Sequence, residues 1–294
     1  MAYKLQNNNL EIHIDLPLEN YNFSRFDWTG KIVEVKFKNI YLSSAERTDH
    51  ENENSFGKGY YNEFGIDTAL GFNEAKIGGW FHKIGVGLLK KYDNNYLFSK
   101  NYEVDPADFK VVCDPNKVLI ICKSKDVNGY SYVLKKEIEL QESSFMVKYD
   151  LQNTGVKDIV TDEYAHNFIA INKDLIGSDY VLKFPFLLKS QFFGEAVNPD
   201  RKVDVGQNEI KFNGSPEEQF FFSNLSGNED VDAEWDLINI KNKIGIRESG
   251  NFKTNKINLW GWRHVISPEL FFNVSVKPGQ STRWSRTYKV YKLD

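Results

Sequence analysis

The feature of this sequence that most restricts its fold is a period of two in its apolar residues, interrupted by turn residues at short intervals. Residues 31–37 (Lys-Ile-Val-Glu-Val-Lys-Phe) alternate clearly, residues 117–122 alternate more loosely, and 132–140 and 144–151 resemble neighbouring strands. Because successive side chains point to opposite faces of a strand, this period predicts strands with one buried face. Long amphipathic helix patterns are absent from the sequence. We therefore predict one all-β, antiparallel domain over residues 1–294, built from two packed sheets.

The composition is compatible with a large β core. Aromatic residues make up 15% of the chain and hydrophobic residues 41%, and aromatic and β-branched residues favour strands. A length of 294 residues could also form two domains, but β-sandwiches often extend further as one unit. The acidic, Asn-rich residues 46–55 are predicted to form a solvated loop.

The charge distribution and the cysteines restrict the partners and the compartment. The formal charge is −4 and no run of five or more basic residues occurs, which argues against a nucleic-acid partner. No apolar run approaches the roughly 20 residues of a membrane-spanning helix, and the N-terminus lacks a signal-peptide pattern. Cys113 and Cys122 flank a turn at unequal distances, so we predict two free thiols and a reducing, cytoplasmic compartment.

A histidine in an otherwise apolar strand pattern is the first candidate for chemistry. His166 lies within residues 157–172, a predicted strand, and its period puts Tyr164, His166 and Phe168 on one face and Asn167 on the other. A buried histidine that binds a backbone carbonyl is one interpretation. An acid or base that faces a cleft is the other, since histidine titrates near neutral pH.

A glutamate on a second predicted strand is the other candidate. Residues 267–276 alternate so that Leu270 and Val274 share an apolar face, while Glu269 lies on the opposite face. A carboxylate directly after Pro268 fits a fixed general base, and it fits an ordinary rim residue equally well.

The aromatic segment just before that strand offers further candidates. Asn258, Trp260, Trp262 and His264 fall on one face of residues 257–265, and the two tryptophans could form a platform for a sugar ring or fill the core. Only a predicted bend at residues 267–268 separates this segment from the glutamate. We therefore predict that Trp262, Arg263 or His264 reaches the same cleft as Glu269.

A glycine-rich segment, residues 78–87, adds His82 and Lys83 as possible donors. It has neither the dinucleotide-binding glycine spacing nor a phosphate-loop ending. No pair of His, Cys or carboxylate residues has the spacing of metal ligands, and no nucleophile-elbow motif occurs. The sequence thus predicts no metal site and no cofactor.

The order of these motifs resembles the galactose mutarotase-like superfamily, which includes aldose 1-epimerases and hexose-6-phosphate epimerases. The similarity extends from about residue 26 to residue 291. Its motifs are Asn62-Glu63-Phe64-Gly65, Gly79-Trp80-Phe81-His82-Lys83-Ile84-Gly85, Asn153-Thr154-Gly155, Tyr164-Ala165-His166-Asn167-Phe168, Ser267-Pro268-Glu269, Lys277-Pro278-Gly279-Gln280 and Trp284-Ser285-Arg286-Thr287-Tyr288.

The resemblance implies a large antiparallel β-supersandwich with a concave sugar-binding face. It also implies interconversion of the anomers of an aldose, free or phosphorylated, with no metal or cofactor. Glu269 then corresponds to the general base and His166 to the general acid, and we expect a sugar ring's width between them.

The resemblance also suggests substrate-binding residues. Those within its motifs are His82, Lys83, Glu63 and Asn167, and the aromatic segment adds Trp262, Arg263 and His264. Lys83 and Arg263 are candidates to bind a phosphate at the rim. The alternative function is a non-catalytic carbohydrate-binding or regulatory module on the same fold. No oligomeric state is predicted.

Overall fold

The computed structural model describes residues 2–49 and 53–293, which consist mainly of strands. In chain order the first are β1 (Tyr3–Gln6), β2 (Leu10–Asp15), β3 (Lys31–Phe37), β4 (Ile40–Tyr41), β5 (Tyr60–Phe64), β6 (Trp80–Lys83), β7 (Gly87–Lys90), β8 (Val104–Pro106), β9 (Asp108–Asp114), β10 (Lys117–Lys123), β11 (Tyr132–Leu140) and β12 (Ser144–Asn153). They are followed by β13 (Ile159–Asn167), β14 (Tyr180–Lys183), β15 (Ala196–Val197), β16 (Val203–Val205), β17 (Glu209–Phe212), β18 (Phe220–Phe222), β19 (Val231–Asn239), β20 (Ile244–Thr254), β21 (Ile257–Trp262), β22 (Val265–Val276) and β23 (Ser281–Lys292). Short 3₁₀ helices occur at Glu53–Ser55, Ile171–Lys173 and Ser190–Phe192.

The strands form two ten-stranded sheets and one three-stranded sheet. The first large sheet has the order β1-β2-β3-β5-β13-β22-β21-β18-β15, with β4 paired to β3. The second has the order β16-β17-β14-β19-β20-β23-β12-β11-β10-β9, and β6, β7 and β8 form the small sheet. The described pairings are antiparallel, which confirms the predicted fold class.

The core lies between the two large sheets and follows from the alternation in the sequence. Along β12 every second side chain is buried, from Phe145 to Leu151. These side chains belong to one apolar cluster with Leu237 of the second sheet and Leu259 of the first. Full burial of such a side chain stabilises the fold by about 1.5–3 kcal/mol. One domain over residues 1–294 stays a prediction.

A charged cluster lies inside this core and joins the sheets. The Arg286 guanidinium, with no exposed surface, donates to Glu248 Oε1 and to Glu163 Oε2, both at 2.7 Å. Glu163 belongs to β13 of the first sheet, while the other two residues belong to the second sheet. A buried arginine needs such partners to offset its loss of hydration.

Some predicted boundaries were wrong. The predicted strand over residues 157–172 ends at Asn167 and is followed by a 3₁₀ helix at Ile171–Lys173. No bend occurs at residues 267–268, because β22 continues through Pro268. The pairing of β22 with β13 ends at Phe271, so the N–H that Pro268 lacks is not needed for that pairing. The Pro268 carbonyl oxygen instead accepts from Asn167 Nδ2 at 2.7 Å.

The predictions for the cysteines and for the loop at residues 46–55 can also be compared with the structure. Cys113 and Cys122 are free thiols, as predicted. The predicted solvated loop at residues 46–55 begins with a half-buried Glu46 and includes a 3₁₀ turn, and residues 50–52 lie outside the described residues. Within residues 2–49 and 53–293, no helix is both long and apolar enough to cross a membrane.

Candidate active site

A cleft of about 370 Å³ opens on the face of the first sheet that points away from the second sheet. Its lining includes Tyr164 and His166 of β13, Glu269 of β22, and Asn258 and Trp260 of β21. The residues directly before and after each of these in the strand point to the core instead, because successive side chains of a strand point to opposite faces.

Strand register explains why the histidine and the glutamate meet. In the pairing of β13 with β22, Tyr164 lies opposite Phe271. Two residues further along, the same register places His166 beside Glu269. On the other side of β22, Asn258 lies opposite Glu269. The three polar side chains therefore form a row across adjacent strands.

The histidine and the glutamate are in direct contact. His166 Nε2 lies 3.2 Å from Glu269 Oε1, and each side chain is only 5% exposed. Ser267 Oγ lies 2.9 Å from His166 Nδ1 and accepts the Asn167 backbone N–H at 3.0 Å. Because a hydroxyl can donate or accept, Ser267 can serve either tautomer of the imidazole.

Aromatic rings hold the imidazole in place. Phe168 stacks on His166 with ring centroids 4.1 Å apart and an interplanar angle of 12°. Trp260 approaches the same ring edge-on at 5.3 Å. These two rings therefore pack against the imidazole, while its Nε2 atom faces Glu269 in the cleft.

Burial sets the protonation of this pair. Burial raises the pKa of Glu269 to about 8, although the positive Arg25 opposes the rise. Burial and Arg25 together lower the pKa of His166 well below 6.5. Both residues are therefore uncharged near neutral pH, and the single shared proton lies on Glu269.

An arginine that the sequence reasoning missed lies beside the pair. Arg25 lines the cleft, and it donates to Glu63 Oε2 at 3.0 Å and to Glu46 Oε1 at 3.2 Å. Burial opposes its charge, but Tyr164, Glu63 and Glu46 outweigh burial and raise its pKa. A guanidinium has five N–H donors, so Arg25 keeps donors for a ligand.

Two predicted substrate-binding residues lie beneath this arginine. Glu63 is fully buried and accepts hydrogen bonds from Lys83 Nζ at 3.0 Å and Tyr164 Oη at 2.7 Å. Burial alone would raise the pKa of Glu63, but Lys83 and Arg25 lower it. Neither Glu63 nor Lys83 lines the cleft, so the expectation of direct substrate contact is corrected: they position Arg25.

Solved structures with the same architecture are similar to this chain over nearly their whole length. A candidate aldose 1-epimerase from Escherichia coli K12 has a TM-score of 0.63 at 10% identity, with 100% of this chain and 99% of that chain covered. A galactose mutarotase related enzyme from Lactobacillus acidophilus has a TM-score of 0.61 at 12% identity, with 100% and 99% covered. A galactose mutarotase-like protein from Lactobacillus casei ATCC 334 has a TM-score of 0.61 at 13% identity, with 99% and 100% covered.

This chain has the galactose mutarotase-like fold. The suspected resemblance is confirmed at the level of the fold. At identities of 10–13% the likeness shows the fold alone. No protein-family model matches the sequence, and a search of curated proteins gave no match.

His82 lies away from the cleft of this galactose mutarotase-like fold, so its expected role as the second site histidine is corrected. It is fully buried on β6, where its ring packs edge-on against Tyr130 and Tyr132. Its Nε2 lies 3.3 Å from the Val127 carbonyl oxygen, and burial lowers its pKa. His82 is therefore a buried histidine that contacts a backbone carbonyl, and not an acid or base that faces a cleft.

Asn167 is also excluded from the cleft, because it points to the core side of β13. Its Nδ2 donates to Glu248 Oε2 at 2.9 Å, and its Oδ1 accepts from Tyr288 Oη at 3.0 Å. The expected substrate contact is therefore corrected. Asn167 anchors the strand that carries His166 to the second sheet.

We predicted that Trp262, Arg263 or His264 reaches the cleft of Glu269, but none of the three lines it; Trp262 contacts it only through Arg47, which is a lining residue. Asn258 lies opposite Glu269, but Trp262 lies opposite Val265 at the far end of the hairpin. The pair Trp262–Val265 lies four residues along the hairpin from the pair Asn258–Glu269, which at about 3.3 Å per residue is a distance of roughly 13 Å. Trp262 is at the turn of this antiparallel hairpin, whereas Glu269 lies well beyond the turn. Trp260, two residues closer to Asn258, lines the cleft instead.

The three residues make other contacts. Trp262 Nε1 donates to the Glu217 carbonyl oxygen at 2.6 Å, and its ring lies 5.1 Å from the guanidinium of Arg47. Arg263 is exposed in the turn. His264 Nε2 lies 3.1 Å from the Ala45 carbonyl oxygen.

One group of side chains comes within metal-ligand reach, which the spacing argument missed. Ligand atoms of Glu11, His13 and Glu34 lie within 4.8 Å of one another on β2 and β3. Lys36 already pairs with Glu34 at 2.6 Å and with Glu11 at 3.5 Å, so these charges have partners. This group gives no reason to assign a metal.

Proposed function

We propose that this protein is an aldose 1-epimerase, which interconverts the α and β anomers of a sugar by opening and closing its ring. The observation that supports this function is the 3.2 Å contact between His166 and Glu269 at the base of a cleft. The anomeric hydroxyl oxygen O1 and the ring oxygen O5 are both bonded to C1. An acid and a base that serve these oxygens must therefore be close neighbours, rather than a ring's width apart.

The reaction balances with one proton on the pair. As carboxylate, Glu269 takes the proton of O1–H, while imidazolium His166 gives a proton to O5. The C1–O5 bond then breaks as the C1–O1 bond becomes a carbonyl. Rotation about C1–C2 and the reverse transfers close the ring with O1 on the other side. A positioned acid or base contributes roughly 10²- to 10⁴-fold to such a step.

The resting state of the pair fits this cycle. Ring opening leaves both residues uncharged, which is the state that burial favours in the free protein. A sugar hydroxyl that donates a hydrogen bond to Glu269 favours the carboxylate. Arg25 lowers the pKa of both residues, so it does not itself drive the transfer to His166. The proton then passes to His166 across the 3.2 Å contact before the ring opens.

The cleft supports a sugar as the ligand. Arg25 offers N–H donors to sugar oxygens, and Asn258 offers an amide. Trp260 and Phe98 also line the cleft, and aromatic rings suit the apolar side of a pyranose. The cleft volume of about 370 Å³ falls within the range of small-molecule sites, about 300–1,000 Å³.

A neutral aldose fits the charges better than a phosphorylated one. Lys83 is buried against Glu63, and Arg263 lies in the distant turn, so neither predicted phosphate contact lines the cleft. Arg25 is paired with Glu46 and Glu63. Arg47 also lines the cleft, with its guanidinium 5.1 Å from the Trp262 ring and outside those ion pairs, so phosphorylated aldoses belong in the test. A cytoplasmic location belongs to this proposal and is supported by the two free cysteines.

The test is polarimetry of freshly dissolved α anomers with purified protein, against a panel of free and phosphorylated aldoses. The proposal requires acceleration above the spontaneous rate, in proportion to protein concentration, for at least one free aldose. Acceleration of phosphorylated sugars alone would overturn the neutral substrate. Binding without acceleration would favour the alternative, a non-catalytic carbohydrate-binding module.

A further inference from the structure

The candidate active cleft continues into a second, larger cavity. This cavity has a volume of about 650 Å³. Ile66, Phe98, Phe221 and Asn258 line both cavities, so the two are parts of one groove. The His166–Glu269 pair lies in the first part only. A monosaccharide whose C1 is held at this pair therefore leaves the second part of the groove open.

The lining of the second cavity has the chemistry that recognises a sugar. Asn228 and Asn255 contribute amide groups, which can both donate and accept hydrogen bonds. Ser223 Oγ accepts the Glu195 N–H, and the Asn224 side chain bonds to the Phe192 carbonyl oxygen and the Asn228 N–H, so these two side chains hold the wall of the cavity in place. Phe221, half-buried at the junction, presents an aromatic ring. Amides suit the hydroxyls of a sugar, and an aromatic ring suits its C–H faces.

The charges in the second cavity are compensated. Lys256 Nζ lies 2.8 Å from Asp67 Oδ2 and 3.1 Å from Asp162 Oδ2. Lys256 is therefore not a free cation that could bind a phosphate. Glu195, exposed at the rim, disfavours an anion further. The expected ligand is neutral.

One side chain connects the two parts of the groove. Asn258 is buried, and its Oδ1 accepts the Asn224 backbone N–H at 3.2 Å. Asn258 also lies opposite Glu269 in the pairing of β21 with β22, and it lowers the pKa of that carboxyl. The residue beside the candidate base therefore also holds the wall of the second cavity.

We propose that the second cavity is a subsite for the next sugar unit of a neutral, reducing disaccharide or oligosaccharide whose reducing end lies at His166 and Glu269. This inference rests on the proposed function and narrows its substrate class. A reducing-end sugar has a free C1, as ring opening requires, and its glycosidic link leads from the first part of the groove to the second.

The test compares glucose with maltose and cellobiose in the anomerisation assay. The wild type is expected to show kcat/KM for at least one disaccharide roughly tenfold above that for glucose, since the subsite adds several hydrogen bonds. Asn228→Gly removes an amide at a position with φ of +68°, which glycine adopts without strain. Asn255→Trp fills the cavity with a larger side chain instead. For each variant, we expect the kcat/KM for the disaccharide to be close to the kcat/KM for glucose, so that the ratio of the two is close to one.

The matched control is Asn20→Gly, which changes an exposed asparagine with φ of +54° that lines neither cavity. It should leave the ratio unchanged. Disaccharides that react no faster than glucose in the wild type, or a ratio that neither Asn228→Gly nor Asn255→Trp lowers, would overturn the subsite.

A second readout separates this inference from the proposed function. Methyl maltoside and methyl glucoside cannot open their rings, so calorimetric titration measures their binding whether or not the protein is an epimerase. We expect methyl maltoside to bind roughly tenfold more tightly, and Asn228→Gly to abolish the difference. Equal binding of the two glycosides, or no binding, contradicts the subsite. Failure of anomerisation with all sugars contradicts only the proposed function.

Discussion

Glu269 Oε1 lies 3.2 Å from His166 Nε2, two residues beyond the last paired residues of β13 and β22, Tyr164 and Phe271. Both are 5% exposed, so neither is free to carry its own charge at low cost. The structure therefore favours one proton shared by the pair. This shared proton determines how activity depends on sequence and on pH.

Glu269→Gln is expected to lower the anomerisation rate by roughly 10²- to 10⁴-fold, because an amide of the same shape cannot take the O1 proton. Sugar binding should be retained. Glu229→Gln, at an exposed position paired with Lys189, is the control and should keep the wild-type rate. The measurement is initial rates by polarimetry. Equal rates for the two variants would remove Glu269 from the reaction.

The rate should be highest where the pair holds one proton. With the pKa of Glu269 raised to about 8, the rate falls as pH rises through about 8 and that proton is lost. With the pKa of His166 well below 6.5, the acidic fall comes only when His166 binds a second proton. Ordinary pKa values, about 4.3 for glutamate and 6.5 for histidine, would instead put the alkaline fall near 6.5. A pH profile of kcat/KM distinguishes the two cases.

Arg25→Met should move this profile to higher pH and weaken sugar binding. The positive charge of Arg25 lowers the pKa of both Glu269 and His166, so its removal raises both. Arg25→Lys keeps the charge and should keep the profile, while still raising KM because the forked donors are lost. An unchanged profile for Arg25→Met would show that the arginine does not act on the pair.

Arg286→Met should strongly destabilise the protein. The change leaves Glu163 and Glu248 buried without their cationic partner, which costs about 3–5 kcal/mol. Arg283→Met is the matched control, since Arg283 is 77% exposed and pairs with Asp150 at the surface, a contact worth about 0–1 kcal/mol. Urea denaturation gives both free energies of unfolding. Equal losses would contradict the structural role of the buried cluster.

Much of the fold could be predicted from local periodicity. The strands at residues 31–37 and 132–140 match the structure, and alternation put Tyr164 and His166 on one face. These features depend on neighbours in sequence. A period of two shows which side chains share a face, but it cannot show which strands are adjacent in a sheet.

The parts of the site that could not be predicted depend on sheet order. Arg25 lies in the segment before β3, yet it lines the same cleft as Glu269, because β3, β5, β13 and β22 follow one another in the first sheet. Its aromatic neighbours Phe26 and Trp28 are buried and were a local sign of a buried segment. Conversely, Trp262 is near Glu269 in sequence, but the hairpin separates them.

Exchange spectroscopy by NMR at anomeric equilibrium tests the central claim most directly, because it measures interconversion of the anomers without net reaction. With wild-type protein and a free aldose, we predict cross-peaks between the α and β signals whose exchange rate rises in proportion to protein concentration. With Glu269→Gln, the exchange rate should fall close to that of buffer. Exchange with wild-type protein no faster than in buffer for every aldose tested, or equal exchange with Glu269→Gln, would contradict the account.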